Sequence, residues 1–499
     1  MSRVTSSQES RGEQATETSE EALAQLVRAQ NTISALSPVL LDLVAAFEAA
    51  GHALYLVGGS VRDALLGRLG NDLDFTTPAR PDVVKELLDA QCEVVWDTGI
   101  EYGTVSAQHR GQQIEITTFR SDLYDGDSRN PEVTFGDTLE GDLVRRDFTI
   151  NAMAVRLSVV DGEMASEFHD PVGGLADLSR RVLDTPGTPE QSFNDDPLRM
   201  LRAARFVSQL EFDVATRVRD AMVGMAGQIS RITAERVHVE LNKLIGGADP
   251  SAGIDLLVET GLGAIVLPEV GALKMTEDEH KQHKDVYRHS LQVMRQAIDQ
   301  EDPEQGPDLV LRWAALLHDI GKPDTKELKE GGGVSFHHHE VVGAKLARKR
   351  LKELKFSKAD VSDISQLVFL HMRFHGYGEG AWSDSAVRRY VTDAGDLLPR
   401  LHKLVRADST TRNPKKAGRL QRTYDDLEKR IAEIAEKEDL ARVRPDLDGG
   451  EIMKILDLKP GPDVGRAWSY LKELRLEHGP LEREEATRLL REWWAGEQA

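Results

Sequence analysis

At 499 residues the chain is too long for one hydrophobic core, and three or four domains are expected. Its formal net charge of −21 excludes a general nucleic-acid coat, since neutralising phosphates needs positive charge, but leaves room for a local basic surface. Cys92 is the only cysteine, which excludes internal disulfides and a cysteine zinc site, and no apolar run nears the roughly 20 residues of a membrane helix.

Residues 1–30 are polar, rich in Ser, Gln, Glu and Thr, and without a hydrophobic signal core. They are expected to be disordered, and a cytoplasmic protein fits. Leu36 to Ala50 reads as an amphipathic helix. Ala53 to Val57 has strand length. Gly58-Gly59 follows, Ser60 leads into a helix, and Gly67 and Gly70 end it. The next strand carries Asp72-Leu73-Asp74-Phe75. Strand side chains alternate, so Asp72 and Asp74 project on one side. Parallel carboxylates repel unless a cation lies between them, which suits hard divalent ions, Mg²⁺ above all. The glycines let a backbone approach phosphates, and a helix start favours an anion. This unit predicts metal-assisted phosphoryl or nucleotidyl transfer.

A helix over Pro81–Leu88 comes next. Short strands follow at Glu93–Asp97, Thr104–Gln108 and Ile114–Phe119, giving a small mixed sheet with helices on one face. Glu115 points away from the apolar face of Ile114 and Ile116, either as a third carboxylate beside Asp72 and Asp74 or as a solvated side chain. Arg120 to Asp142, rich in Asp, Gly and Pro, reads as a mobile active-site loop. In Arg145-Arg146-Asp147-Phe148-Thr149-Ile150-Asn151-Ala152 the paired arginines are in isolation a solvated charge pair; beside a phosphate site they become triphosphate clamps. Asp170-Pro171 opens a turn and helix start. Pro197 fits the first turn of a helix. Arg199, Arg202 and Arg205, spaced by three, share a broad face of it. With Asp196 they offer donors and acceptors to the edge of a base; a capping Asp and an exposed basic face is the plainer alternative. Thr233 reads as the N-cap of a further helix.

These stretches carry a resemblance. GGSVRDALLG followed by DLD, RRDFTINA, DPVGGLADL, DDPLR and ITAERVHVEL resemble, in order, five motifs of the class II (bacterial-type) CCA-adding tRNA nucleotidyltransferase and poly(A) polymerase family. Asp195 stands where Glu is common. The resemblance implies an α/β head of the DNA polymerase beta-like nucleotidyltransferase type, then an all-α neck and body. It implies that Asp72 and Asp74 hold two Mg²⁺ ions, that Gly58, Gly59 and Arg62 lie against the nucleotide, and that Arg145 or Arg146 meets its phosphates. Asp196 and Arg199 would read the base, and Arg202 and Arg205 would hold phosphate or ribose. The charged residues after Thr233 would brace the base-reading helix. The implied partners are tRNA, CTP and ATP.

From about His280 the pattern changes. Tyr287-Arg288-His289 starts a helix, Leu309–Leu317 is an apolar helix ending in His318-Asp319-Ile320-Gly321-Lys322-Pro323, and Asp408 lies on a later helix. His289, His318, Asp319 and Asp408 resemble the metal set of the HD phosphohydrolase superfamily, suited to a transition metal or Mg²⁺. His337, His338, His339 and His371 could add ligands or contact a phosphate. The alternative is a helical domain keeping these residues for packing or tRNA contact. Lysines and arginines gather between Lys345 and Lys358, and beyond residue 415 the chain is helix-forming and charged. There Lys415, Lys416, Arg419 and Arg422 are either RNA contacts or a solvated face.

The expected division is a 1–30 tail, a 31–157 catalytic head, a 158–279 helical nucleotide-selecting domain, a 280–415 HD domain and a 416–499 helical region. The expected activity is template-independent CCA addition with an added HD centre. Poly(A) polymerase, or an enzyme adding only part of the CCA end, is the alternative within the class. An HD phosphohydrolase with a tRNA-binding N-terminal part is the alternative outside it.

Overall fold

A helix opens the chain where a disordered tail was expected: α1 spans Thr5–Ser34. The structure is a computed structural model and describes residues 5–120, 135–275, 285–328, 334–374, 382–410, 413–438 and 443–498. Within α1, Gln25, Ala29 and Ile33 are buried. They recur every four residues, so they form one stripe along the helix. Gln25 and Gln30 accept hydrogen bonds from the Ser179 and Ser166 hydroxyls at 2.9 and 3.1 Å. The polar composition of the segment concealed this stripe, because a docked helix needs only one apolar face.

The head follows as α2 (Ser37–Ala49), β1 (Leu54–Val57), α3 (Gly58–Leu65), β2 (Asp72–Thr77), α4 (Pro81–Gln91), β3 (Val94–Trp96), β4 (Thr104–His109), β5 (Gln112–Thr118), α5 (Leu139–Val144), β6 (Ala154–Val160) and β7 (Glu163–His169). Its seven strands lie in the order β3-β4-β5-β2-β1-β6-β7. Only β2 and β5 run parallel, so the sheet is mixed, as expected. β6 and β7 carry it past residue 157, the expected edge of the head. The sheet ends at His169, so a boundary at 157 would cut through β6. The expected Arg120–Asp142 loop falls partly outside the described residues, at 121–134. Of its remainder, Phe135 bridges Arg120, residues 136–138 are irregular, and α5 begins at Leu139, with Thr138 accepting from the Gly141 N–H.

A helical stretch completes the first compact unit, Met1–Ile265. It contains α6 (Gly174–Arg180), the two-residue strands β8 (Val182–Leu183) and β9 (Asp213–Val214), α7 (Pro189–Asp195), α8 (Leu198–Leu210), α9 (Thr216–Met225), α10 (Ala234–Ile245) and α11 (Pro250–Glu259). α8 packs on α10 and α11. Gly253 makes the α11 contact possible, since a Cβ there would come within 2.7 Å of the Ala204 carbonyl oxygen.

After α12 (Gly263–Val266), the second unit, Val266–Ala499, holds α13 (Pro268–Ala272), α14 (Val286–Ile298), α15 (Leu309–Leu317), the hairpin β10 (Lys326–Leu328) and β11 (Val334–Phe336), α16 (His339–Glu353), α17 (Lys358–Leu370), α18 (Asp384–Ala394), α19 (Leu398–Asp408), α20 (Pro414–Ala435), α21 (Gly449–Leu456), α22 (Pro462–His478) and α23 (Arg483–Gln498). The last three helices share a core of Leu447, Ile452, Ala467, Leu471, Ala486 and Leu490. Among the described residues no single helix is long and apolar enough to cross a membrane.

The docking of α1 is open to a direct check. Ile33→Ala should lower the stability of the first unit by roughly 3 kcal/mol, through lost burial and the cavity left behind. Denaturant unfolding followed by circular dichroism measures it; an unchanged midpoint would mean that α1 is not docked.

Candidate active sites

β2 exposes Asp72 and Asp74 on one face and buries Leu73 and Phe75 on the other. In the parallel ladder Asp74 pairs with Glu115 on β5, so all three acids stand on the same face. Ser60 fixes the strand: its hydroxyl accepts from the Asp74 N–H at 2.9 Å and donates to the Asp72 carbonyl at 3.3 Å. Burial pushes the Asp74 carboxyl up; Arg146 opposes this and Asp72 adds to it. Burial and then Asp74 push Glu115 up in turn. Mutually repelling carboxylates on a rigid strand pair fit a divalent cation, which would relieve the repulsion.

Gly58 opens α3 at φ +65°, a left-handed conformation that favours glycine, and a Cβ there would lie 2.9 Å from Arg146 Nη1. Arg146 therefore rests against the Gly58 backbone, beside the acids. Both arginines of the pair are held by Asp142, whose side chain is almost fully buried. Its Oδ1 takes Arg145 at 2.9 Å and its Oδ2 takes Arg146 at 3.0 Å. Burial alone would raise the Asp142 carboxyl, but the two guanidinium groups hold it below its ordinary value. Asp142 had been read as the end of a loop. Its spacing of three and four residues ahead of the two arginines on a helix was the available signal.

Arg62 is committed inside the unit, forking onto Asp63 at 2.8 and 3.0 Å and donating to Asn151 at 2.8 Å. It lies behind Gly59, where a Cβ would stand 3.5 Å from Arg62 Nη2 and 3.9 Å from Asp74 Oδ2. Its charge acts on Asp74.

The three arginines of α8 have separate fates. Arg199 donates to the Arg145 carbonyl oxygen at 2.8 Å and to the Ser192 hydroxyl at 2.9 Å. This joins α8 to the arginine pair and so to the acids. Arg202 is paired at 2.6 Å with buried Asp147. Arg205 is paired at 3.1 Å with Glu240, both buried. Arg205 is buried with its partner, and Arg202, about a third exposed, is also paired within the unit, so a contact of either with phosphate or ribose would require that pairing to open. Burial, opposed by Glu240, lowers Arg205 to about 10. Burial would raise Asp147, but Arg202 and Asn151 hold it at about 2. Asp196 accepts from the Leu198 N–H at 3.1 Å and from Arg236 at 2.7 Å. Thr233 caps α10 by accepting from the Arg236 N–H, and Arg236 braces the start of α8 as expected.

In the second unit, α14, α15 and α19 bring His289, His318, Asp319 and Asp408 together. His289 Nε2 lies 2.9 Å from Asp408 Oδ1 and 3.3 Å from His318 Nε2. A second triad joins them: Asp319, His339 and His371, all buried. Asp319 serves both. Its Oδ2 faces His318 at 3.2 Å and His289 at 3.6 Å, while its Oδ1 faces His339 at 3.3 Å and His371 at 4.0 Å. His318, His339 and His371 each direct Nδ1 at a backbone carbonyl, of Ala315, Phe336 and Val368, at 2.8, 2.8 and 2.6 Å. A donating Nδ1–H leaves the Nε2 lone pair facing the cluster, the tautomer that a metal needs. Burial and nearby imidazoles lower His371 to about 3. The donor set fits divalent metal at two adjacent places. His337 and His338 are exposed and stand outside the cluster.

Comparison with known proteins agrees with this layout. Residues 54–184 match the family model of the poly A polymerase head domain, 211–273 that of a probable RNA and SrmB-binding site of polymerase A, and 286–441 that of the HD domain. An A-adding tRNA nucleotidyltransferase of Deinococcus radiodurans is 34% identical over 428 residues, 84% of this chain and 91% of that protein. A CCA-adding enzyme of Levilactobacillus brevis is 44% identical over 216 residues; the match takes in 43% of this chain and spans about half, 52%, of that relative. The crystal structure of the Bacillus stearothermophilus CCA-adding enzyme in complex with CTP superposes with a TM-score of 0.65 at 26% identity, over 92% of this chain and 98% of that one.

Two outcomes follow from the geometry. After loading with Mn²⁺ and desalting, Asp319→Ala should lose two ions per chain relative to wild type, and His371→Ala only one, by elemental analysis; equal losses would mean a single metal position. At pH 7, Asp147 held at about 2 contributes about 2 kcal/mol of stability. A depressed carboxylate stabilises above its unfolded value, so the deficit of Asp147→Asn should shrink as pH falls from about 4 towards 2, in denaturant titrations.

Proposed function

Since this chain belongs to the family of tRNA nucleotidyltransferases and poly(A) polymerases, we propose that it adds CMP and AMP, from CTP and ATP, to the 3′ end of tRNA without a template. One observation carries this reading. Three carboxylates share one face of β2 and β5, Asp74 among them lies near Arg146, and the carbonyl of the adjoining Arg145 accepts from Arg199 at the start of α8. A metal-binding edge and a base-selecting helix thus meet at one pair of arginines. A cytoplasmic enzyme fits this role.

In the reaction the terminal 3′-hydroxyl oxygen of the tRNA bonds to the α-phosphorus of the incoming nucleotide, and the bond to pyrophosphate breaks. Asp72 and Asp74, with Glu115 beside them, would hold two Mg²⁺ ions, which when bound supply charge stabilisation to the attacking and leaving oxygens. Gly58 and Gly59 admit the triphosphate close to the backbone, and Arg146 offers its guanidinium to phosphate oxygens. Asp196 and Arg199 select the base. Their present partners are the partly exposed Arg236 and the hydroxyl of Ser192, which a base edge can replace. Arg202 and Arg205 hold α8 rigid behind them. Catalysis is then mainly positioning and charge stabilisation.

In the second unit His289, His318 and Asp408, with Asp319, His339 and His371, would hold divalent metal for hydrolysis of phosphate esters at RNA ends. A narrower transferase reading is favoured by one fact: the relative aligned along 84% of the chain is an A-adding enzyme, so addition of the terminal AMP alone is the second reading.

One experiment separates these. tRNAs ending before C74, before C75 and before A76 are offered CTP, ATP or both, and the products are sequenced. CCA addition predicts complete ends on all three; A addition predicts extension only of the last. Asp72→Ala should lower incorporation by at least a thousandfold while tRNA still binds; a wild-type rate would end the metal assignment. RNA with a 2′,3′-cyclic phosphate end tests the second centre, with Asp319→Ala expected to abolish its hydrolysis.

A further inference from the structure

We propose that the exposed face of α16, with the turn into α17, is a docking surface for an RNA phosphate backbone. The proposal rests on the reading of the chain as an enzyme of tRNA. Residues 345–358 contain seven cations and one acid, Glu353, in a chain whose net charge is −21. Lys345, Arg348, Lys349, Lys352, Lys355 and Lys358 are exposed. Arg350, the seventh cation, is turned away to Glu269 and Glu353, both at 3.0 Å. Among the described residues none of the five lysines has a carboxylate partner. Some exposed cations elsewhere on this unit are paired, as Arg389 with Glu473 and Arg488 with Glu485, both at 2.7 Å.

A helix face that only had to be soluble would alternate its charges. Here Lys345 and Lys349, and Arg348 and Lys352, are like-charged pairs four apart, each costing a few tenths of a kcal/mol. Lys355 adds a second cost. It sits at φ +62° just past the end of α16, where glycine is the usual residue. A polyanion laid on the face removes the repulsion and releases its own counterions.

The surface also has a preformed recess. A cavity of about 240 Å³ is lined by Arg348, Lys352, Phe356, Lys358, Val361 and Ser362. Phe356 is fixed edge-on against buried Trp313 with ring centroids 5.3 Å apart, and Arg348 is held by the Ser365 hydroxyl at 3.1 Å. A rigid apolar wall among guanidinium and ammonium groups suits a phosphate with its sugar. The same helix begins at His339 of the histidine–aspartate cluster, six residues or roughly 9 Å of rise from Lys345. An RNA backbone on this face therefore has one end close to that centre.

The test uses the full chain carrying K349E/K352E/K355E and fluorescently labelled tRNA lacking its CCA end. Anisotropy titrations run from 50 to 200 mM KCl. The expected result is at least a tenfold weaker Kd at 100 mM, with the log–log salt slope shallower by about 2, as three lost phosphate contacts imply. A Kd within twofold of wild type and an unchanged slope would overturn the proposal. If the reversal variant loses helicity by circular dichroism, K349Q/K352Q/K355Q is read by the same criteria. Nucleotide incorporation at saturating tRNA should stay at the wild-type rate in either variant. Failure of the wild-type chain to incorporate nucleotides sinks the functional reading instead, and leaves the binding result to be judged alone.

Discussion

A single buried carboxylate, Asp142, governs the geometry of the arginine pair beside Asp74. It is 1% exposed and holds two adjacent guanidinium groups, one on each oxygen. A buried charge of this kind is tolerated only because its partners are well placed, and removing it would strand two arginines. Through Arg146 it sets the charge facing Asp74 and the close approach to Gly58. Through the Arg145 backbone it fixes where Arg199 docks. The strand carrying Asp72 and Asp74 and the helix α8 are thus referred to one point.

The helix behind that point shows how burial decides role. Arg199, Arg202 and Arg205 have identical spacing and the same chemistry. Arg199 is held by a carbonyl and a hydroxyl, neutral groups that a ligand can displace. Arg202 and Arg205 are held by buried carboxylates, which they cannot leave without exposing an unpaired charge. The first can exchange its partners at lower cost than the other two.

The second centre reaches its order by another route. Its histidines are oriented by backbone carbonyls at the ends of their own turns, and one carboxylate is divided between two ligand groups. The candidate ligands come from three helices, α14, α16 and α19, and from the connections after α15 and α17, so no local stretch could assemble the site.

The sequence by itself determined the local units. Apolar alternation specified β1, β2 and β5. The Gly58-Gly59 step, the Pro197 start of α8 and the Thr233 cap were readable because turn and cap chemistry acts within a few residues. Asp72 and Asp74 shared a face by strand period alone. Tertiary structure decided what depends on distant partners. The register of β5 placed Glu115 beside Asp74, on a face that stays open to solvent. Glu240, 35 residues further on, took Arg205 out of the site. Docking turned the polar N-terminal segment into α1, and strands β6 and β7 extended the head to His169. His339 and His371 became ligand candidates while His337 and His338 did not, because only folding decides which histidines of a run turn inward. Charge, spacing and period are local properties, whereas burial and pairing belong to the whole chain.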